Sequence, residues 1–449
     1  MTTVRRDPAQ GAEILRLAVP AFLALVAEPL FLLADSAIIG HLGTAQLAGL
    51  GVASATLITA ANIFVFLAYG TTSIVARQLG AGSSRGALEA GVDGTWLAVG
   101  LGAVTAVVVA LNAAPLCRLF GASDQAIGYA GTYLRLSALG IPAMLVALAA
   151  TGVLRGLQDT RTPLVASVTG FSTNIVLNLV FVYGLGWGIA GSAWGTVIAQ
   201  TGMALGLVVV LVSHARRAGA SLHPHPGRVL RAAVSGIPLL VRTLALRAIL
   251  VLTTWVAAGL GDVPLASHQV AATIWSFLAF ALDALAIAAQ ALTGRALGAG
   301  DVTAARAATT TMIRWGIWGG AVLGLVVLAL HTVLPSLFTS DPAVRSALAS
   351  ALVVVALGQP LSGFVFVVDG VLIGAGDGGW LAKAMAATLV LYLPLAVWVH
   401  VAGRDLVSQG APHAVAVLWL VFTAFMAIRG CFFWWRIRGD RWVVTGAAR

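Results

Sequence analysis

The sequence has little charge: 9% of its 449 residues are Asp, Glu, Lys or Arg, against about 25% in an ordinary soluble domain. Lysine is nearly absent, with Lys383 the single one among 26 basic residues. There are two cysteines, Cys117 and Cys431. They are predicted near opposite membrane faces and so form no disulfide, and without a CxxC they carry no metal or thiol-exchange signal. Long polar stretches are missing too; the longest runs from about Ser213 to Arg231, which leaves no room for a soluble catalytic domain. No HExxH occurs, and GAGSSRGA lacks the GK[ST] of a phosphate-binding loop, so neither zinc hydrolysis nor ATP hydrolysis is supported. These shortages exclude a soluble enzyme, a disordered chain and a disulfide scaffold.

What is present is apolar: 59% hydrophobic residues and a mean hydropathy of +0.97. Runs of 18 or more almost uncharged residues recur and read as membrane-crossing helices. Twelve spans are predicted, at about 14–39, 47–70, 91–113, 127–152, 164–184, 190–212, 232–258, 265–291, 307–331, 344–372, 381–402 and 412–435. The net charge of +10 could suggest nucleic-acid binding, but the arginines fall in the loops between spans. Eighteen basic residues, Arg5, Arg6 and Arg449 among them, lie on one side, and three (Arg118, Arg345, Arg404) on the other. By the positive-inside rule both termini are expected in the cytoplasm, and no nucleic-acid partner is expected. The first span, with Pro20, Glu28, Pro29 and Asp35, is too long and too polar for a cleaved signal.

Sliding the chain by 218 residues superposes it on itself. Pro20 falls on Pro238, Arg77–Gly82 (RQLGAG) on Arg295–Gly300 (RALGAG), Leu119–Phe120 on Leu337–Phe338, Pro142 on Pro360, and Gly152 with Asp159 on Gly370 with Asp377. One offset over most of a half marks a duplication. With six spans each, the halves share one orientation. The expected architecture is an all-α integral membrane protein with twelve transmembrane helices, in two six-helix lobes related by a pseudo-two-fold axis along the membrane normal. The lobes are expected at 1–215 and 232–449, joined by a cytoplasmic linker at 216–231. Parallel repeats of this kind belong to transporters that rock one lobe against the other.

Ionisable residues inside spans are expensive and mark candidate sites. Asp35 lies in the outer half of the first span. Glu28, seven residues earlier, shares its face at about 10 Å. Pro20 and Pro29 each remove a backbone hydrogen bond and permit bending. Asn174 and Asn178, one turn apart on the fifth span, sit at depths that can meet Asp35. They read equally as partners of its carboxyl and as interhelical hydrogen-bond glue. In the second half Asp283 and Asp369 are intramembrane, and Arg242 and Arg247 on the seventh span are placed to neutralise them, which reads first as a structural ion-pair network. The duplication partners of Asp35, Asp283 and Asp369 are Thr253, Val65 and Thr151, so the two halves differ in chemistry. His223-Pro224-His225-Pro226 is a linker feature, and no metal site is expected.

The first span LAVPAFLALVAEPLFLLADSAIIGHLG, the RQLGAG loop and GVLRGLQDTRTPL after the fourth span resemble the multidrug and toxic compound extrusion (MATE) family. The segments Leu282–Asp301 and Val367–Asp377 look like its DinF-like branch. The resemblance implies export of amphipathic or cationic small molecules in exchange for protons, or for sodium ions, with no cofactor. It places the coupling site at Asp35 and Asn174, with Asn178 nearby. Asparagine rather than a second acid on the fifth span leans toward protons. It further implies a monomer in a bacterial plasma membrane. The rival readings are a lipid-linked glycan flippase, for which Arg242 and Arg247 are the basic candidates, and a polytopic membrane enzyme, for which the loops supply no clustered ligands.

Overall fold

The computed structural model describes residues 8–119 and 123–447; Arg5, Arg6, Phe120, Arg449 and the side chain of Arg404 lie outside them. The described chain is helical throughout. The first half holds α1 (Pro8–Gly40), α2 (Thr44–Phe64), α3 (Phe66–Gly80), α4 (Ser84–Leu111), the short α5 (Ala113–Arg118), α6 (Asp124–Ala138), α7 (Ile141–Gly156), α8 (Arg161–Leu179) and α9 (Gly188–Arg217). The second holds α10 (Pro226–Gly259), α11 (Asp262–Gly298), α12 (Val302–Leu330), the short α13 (Leu334–Phe338), α14 (Pro342–Gly374), α15 (Gly378–Val401), the short α16 (Gly403–Ser408) and α17 (Ala411–Arg438). Helices α2 and α3 follow one another across Val65 as one crossing, and α6 and α7 form another, bent by 54°. Counting that bent pair once, twelve segments among the described residues are long and apolar enough to span a bilayer. They match the twelve predicted spans one for one. The helices turn large apolar side chains outward, as at Leu111, Val209, Trp318 and Val401, which lipid accepts and water would penalise.

The chain divides into two compact units, one running to Ile237 and taking in Gly446, the other covering Pro238–Thr445. Inside each unit the same packing recurs at the 218-residue offset. In the first, a Cβ on Gly152 would lie 2.4 Å from the Ala68 carbonyl oxygen; in the second, a Cβ on Gly370 would lie 2.2 Å from that of Ala286. One turn on, Gly156 meets Thr72 and Gly374 meets Gln290 in the same way. Only glycine lets α7 approach α3, and α14 approach α11, this closely, which is how helices associate where lipid offers no hydrophobic drive.

The repeated loop has a physical reason as well. At the end of α3, Ser83 N–H donates to the Gln78 carbonyl at 3.0 Å, and at the end of α11, Asp301 N–H donates to that of Ala296 at 3.0 Å. Gly82 and Gly300 take φ of 79° and 75° to make the turn. Each is a helix stop closed by a left-handed glycine. Ser83 and Asp301 then cap the next helix, accepting from the N–H of Gly86 and Ala304.

Cys117 is buried, Cys431 exposed, and both are free thiols. The linker after α9 is pinned to α4: Arg228 pairs with Glu89 at 2.9 Å and Asp93 at 2.6 Å, and Trp96 donates to the Leu222 carbonyl at 3.1 Å.

Candidate functional site

Asp35 sits near the end of α1, 2% exposed. Helix α1 runs unbroken through Pro20 and Pro29. Pro20 cannot donate to the Arg16 carbonyl one turn back; the Thr160 hydroxyl reaches that carbonyl instead, at 3.4 Å. At the other end, Tyr183 donates to the Ile38 carbonyl at 2.5 Å. Phe31 stacks on Phe171 at 5.1 Å, holding α1 against α8.

Two side chains donate to the same oxygen of Asp35. Asn178 Nδ2 lies 2.7 Å from Oδ1, and Ser192 Oγ lies 2.8 Å from it. Asn178 comes from α8 and Ser192 from α9. Tyr133, buried on α6, reaches toward the same carboxyl. One turn along α9, Thr196 accepts from Asn174 Nδ2 at 3.1 Å and lies 3.4 Å from the Tyr133 hydroxyl. Asn174 therefore reaches Asp35 only by way of the Thr196 turn of α9. The close fit of α8 and α9 depends on Gly195, where a Cβ would stand 2.1 Å from Asn178 Oδ1.

The amide oxygens of Asn174 and Asn178 are buried and have no hydrogen-bond partner within the protein. An unpaired buried acceptor is uncommon and calls for an explanation. Here one such acceptor belongs to the amide that holds Asp35 and the other lies one turn away on α8, and the second carboxylate oxygen takes none of these bonds. A proton on Asp35 would turn that group from acceptor to donor, and a small cation would find the same oxygens.

The structure thus brings Asn178 onto Asp35 and sets Asn174 one step further off, at Thr196, while Glu28 shares none of these hydrogen bonds. Seven residues keep the two acids on one helix face, but the Asn178 and Ser192 side chains meet that face at Asp35. Ser192, Thr196 and Tyr133 were not singled out from the sequence. A signal existed in the i, i+4 spacing of Ser192 and Thr196, which mirrors Asn174 and Asn178.

In the second unit, Asp369 on α14 is gripped by Arg242 of α10, through Nε at 3.1 Å and a closer contact through its terminal nitrogen, and by Arg429 of α17 at 2.9 Å. All three are buried. The expected ion pair of Arg242 and Asp369 is present, with Arg429 as an additional partner. Arg247 is exposed on α10 and Asp283 half-buried on α11. At the positions that repeat Asp35 and Asn174 stand Thr253 and Tyr392, whose hydroxyls share a 2.7 Å hydrogen bond. The second unit therefore holds a neutral version of the first unit's site.

Comparison with known proteins gives three kinds of match. The MatE family pattern matches twice, over residues 20–180 and 238–398, two stretches separated by the same 218 positions. A curated relative, Protein DETOXIFICATION 44, chloroplastic, of Arabidopsis thaliana, is 33% identical over 95% of this chain and 82% of its own. DNA damage-inducible protein F of Escherichia coli is 29% identical over 92% of this chain and 89% of its own. A solved structure of the Vibrio cholerae MATE transporter VcmN is similar in fold, with a TM-score of 0.86 at 21% identity, covering 97% of this chain and 98% of that one.

Proposed function

The chain belongs to the MatE family of multi-pass membrane transporters, and on that footing we propose that it is a secondary antiporter that exports lipophilic or cationic small molecules in exchange for protons. The observation that carries the coupling site is the Asp35 carboxylate, fixed on one oxygen by Ser192 and by Asn178, whose own amide oxygen has no partner in the protein.

The mechanism follows from what a proton does to that cluster. Ionised, Asp35 accepts from Asn178 and Ser192. Protonated, it gains a donor, for which the Asn178 oxygen is an available acceptor, and its hold on α8 and α9 must rearrange. Helix α1 can follow, because Pro20 and Pro29 have already removed two rungs of its backbone ladder. Alternating exposure of the lobes would then exchange proton for substrate, with the membrane potential contributing about 2.3 kcal/mol per charge per 100 mV. Sodium in place of the proton is the alternative coupling ion.

The arginine-rich loops support both termini in the cytoplasm, the likeness to DNA damage-inducible protein F of Escherichia coli supports a bacterial membrane, and a monomer suffices because both lobes lie in one chain. The glycan-flippase reading needs a basic surface to take pyrophosphate, and of its two candidates Arg242 is committed to Asp369, which leaves Arg247 as the one candidate.

The test is dye uptake into everted vesicles with a proton or a sodium gradient imposed separately. Proton-driven uptake that Asp35→Asn abolishes is expected. Uptake driven by sodium alone would move the coupling ion, and no uptake under either gradient would turn attention to lipid-linked glycans.

A further inference from the structure

We propose that the second lobe carries a subsite for a primary amino group of the exported compound, between Gln359 of α14 and Trp419 of α17. The proposal rests on the exporter reading and specifies the substrate chemistry.

Gln359 and Trp419 are 1% and 2% exposed. Both line one small cavity with Trp275, Ser362, Phe422 and Thr423. Gln359 gives one of its two amide N–H groups to the Val355 carbonyl at 3.3 Å, while its Oε1 has no partner in the protein. Trp419 Nε1 has none either. Ser362 and Thr423 give their hydroxyl protons to the carbonyls of Gly358 and Trp419, at 3.1 and 2.9 Å. Toward the cavity they can therefore only accept.

The polar inventory is three acceptors and two donors, the indole N–H and the second amide N–H of Gln359. A carboxylate or phosphate would face three acceptors and is disfavoured, and a ketone would leave all three acceptors unmet. A primary amino group fits. Neutral, it offers two N–H and one lone pair; protonated, it offers three N–H. The clear space holds about one water-sized group, which is also the size of an amino head. The walls are aromatic and braced: Trp275 meets Phe422 edge-on at 5.1 Å, Trp419 meets Phe422 at 5.2 Å, and His268 lies 5.6 Å from Trp419. Such faces attract cations.

Among the described residues, no carboxylate lines the cavity. The amine would be held by dipoles and π-faces in one lobe while the coupling ion is held by a carboxylate in the other. The cage is also a departure from the repeat. The positions matching Gln359 and Trp275 in the first half are Ile141 and Leu57.

The test uses the full-length protein in vesicles and two monovalent probes: ethidium, which carries primary amino groups, and tetraphenylphosphonium, which has no N–H. Gln359→Met keeps the bulk and removes the acceptor. Its expected effect is a Kd for ethidium raised about tenfold, one hydrogen bond's worth, with tetraphenylphosphonium unchanged. Both probes weakened alike would make the effect a packing defect and overturn the proposal. So would neither being weakened, which would leave a cavity for water only, or neither being bound by the unmodified protein. Intact selective binding in a protein that shows no gradient-driven transport would instead sink the exporter reading and leave the amine site standing.

Discussion

Gly195 and Asn178 occupy the same volume in alternation: a side chain on the first would displace the amide of the second, whose oxygen lies 2.1 Å from where a Cβ would be. The donor that holds Asp35 is thus placed by a residue on another helix with no polar group of its own. Gly195→Ala is expected to push Asn178 off Asp35 and cost about 1–3 kcal/mol of stability. Proton-driven transport should fall sharply while the protein still inserts. Thermal melting and vesicle uptake on the same preparation check this; normal uptake would mean that Asn178 is dispensable.

Removing the carboxylate from the second lobe should act differently. In Asp369→Asn the guanidinium groups of Arg242 and Arg429 lose the charge that both of them hold. Breaking a buried pair in this way costs about 3–5 kcal/mol. The expected outcome is a markedly lower melting temperature, well below that of Asp35→Asn. A midpoint equal to that of the unmodified protein would show that the triad does not stabilise the fold.

The repeat also exposes one strained position. Gln158 takes φ of 64°, and the residue at the matching place, Gly376, takes 71°. A non-glycine side chain there costs roughly 1–2 kcal/mol, offset in part by the greater freedom of glycine in the unfolded chain. Gln158→Gly should therefore stabilise the protein by about 0.5–1 kcal/mol, and Gly376→Gln should destabilise it by a similar amount. Denaturation midpoints of the two variants, moving in opposite directions, are the measurement; movement in the same direction would refute the strain argument.

Much of this was legible in the sequence, and the limits have physical causes. Twelve crossings could be read because length and hydropathy are properties of single segments, and the duplication because residues such as Pro20 and Pro238 keep a fixed spacing. The meeting of Asp35 with Asn178 was within reach because helical rise fixes depth. Which neighbours surround that depth was not. Ser192 and Tyr133 are ordinary hydroxyls in apolar helices, and only the packing of α6, α8 and α9 makes them partners of a carboxylate. Glu28 shows the converse, since a shared helix face says nothing of what covers it. Arg429 stood in the sequence as one charge within a span, and its pairing with Asp369 is set by how α14 and α17 pack.

The paired glycine approaches have a consequence for how such a chain can change. Gly152 with Ala68, and Gly370 with Ala286, each close within one unit. Recombination between two homologous genes at the linker would therefore transfer whole sets of matched crossings, never half of one. The coupling chemistry of one lobe and the aromatic cage of the other could be inherited from different parents, as exchangeable modules on a common frame.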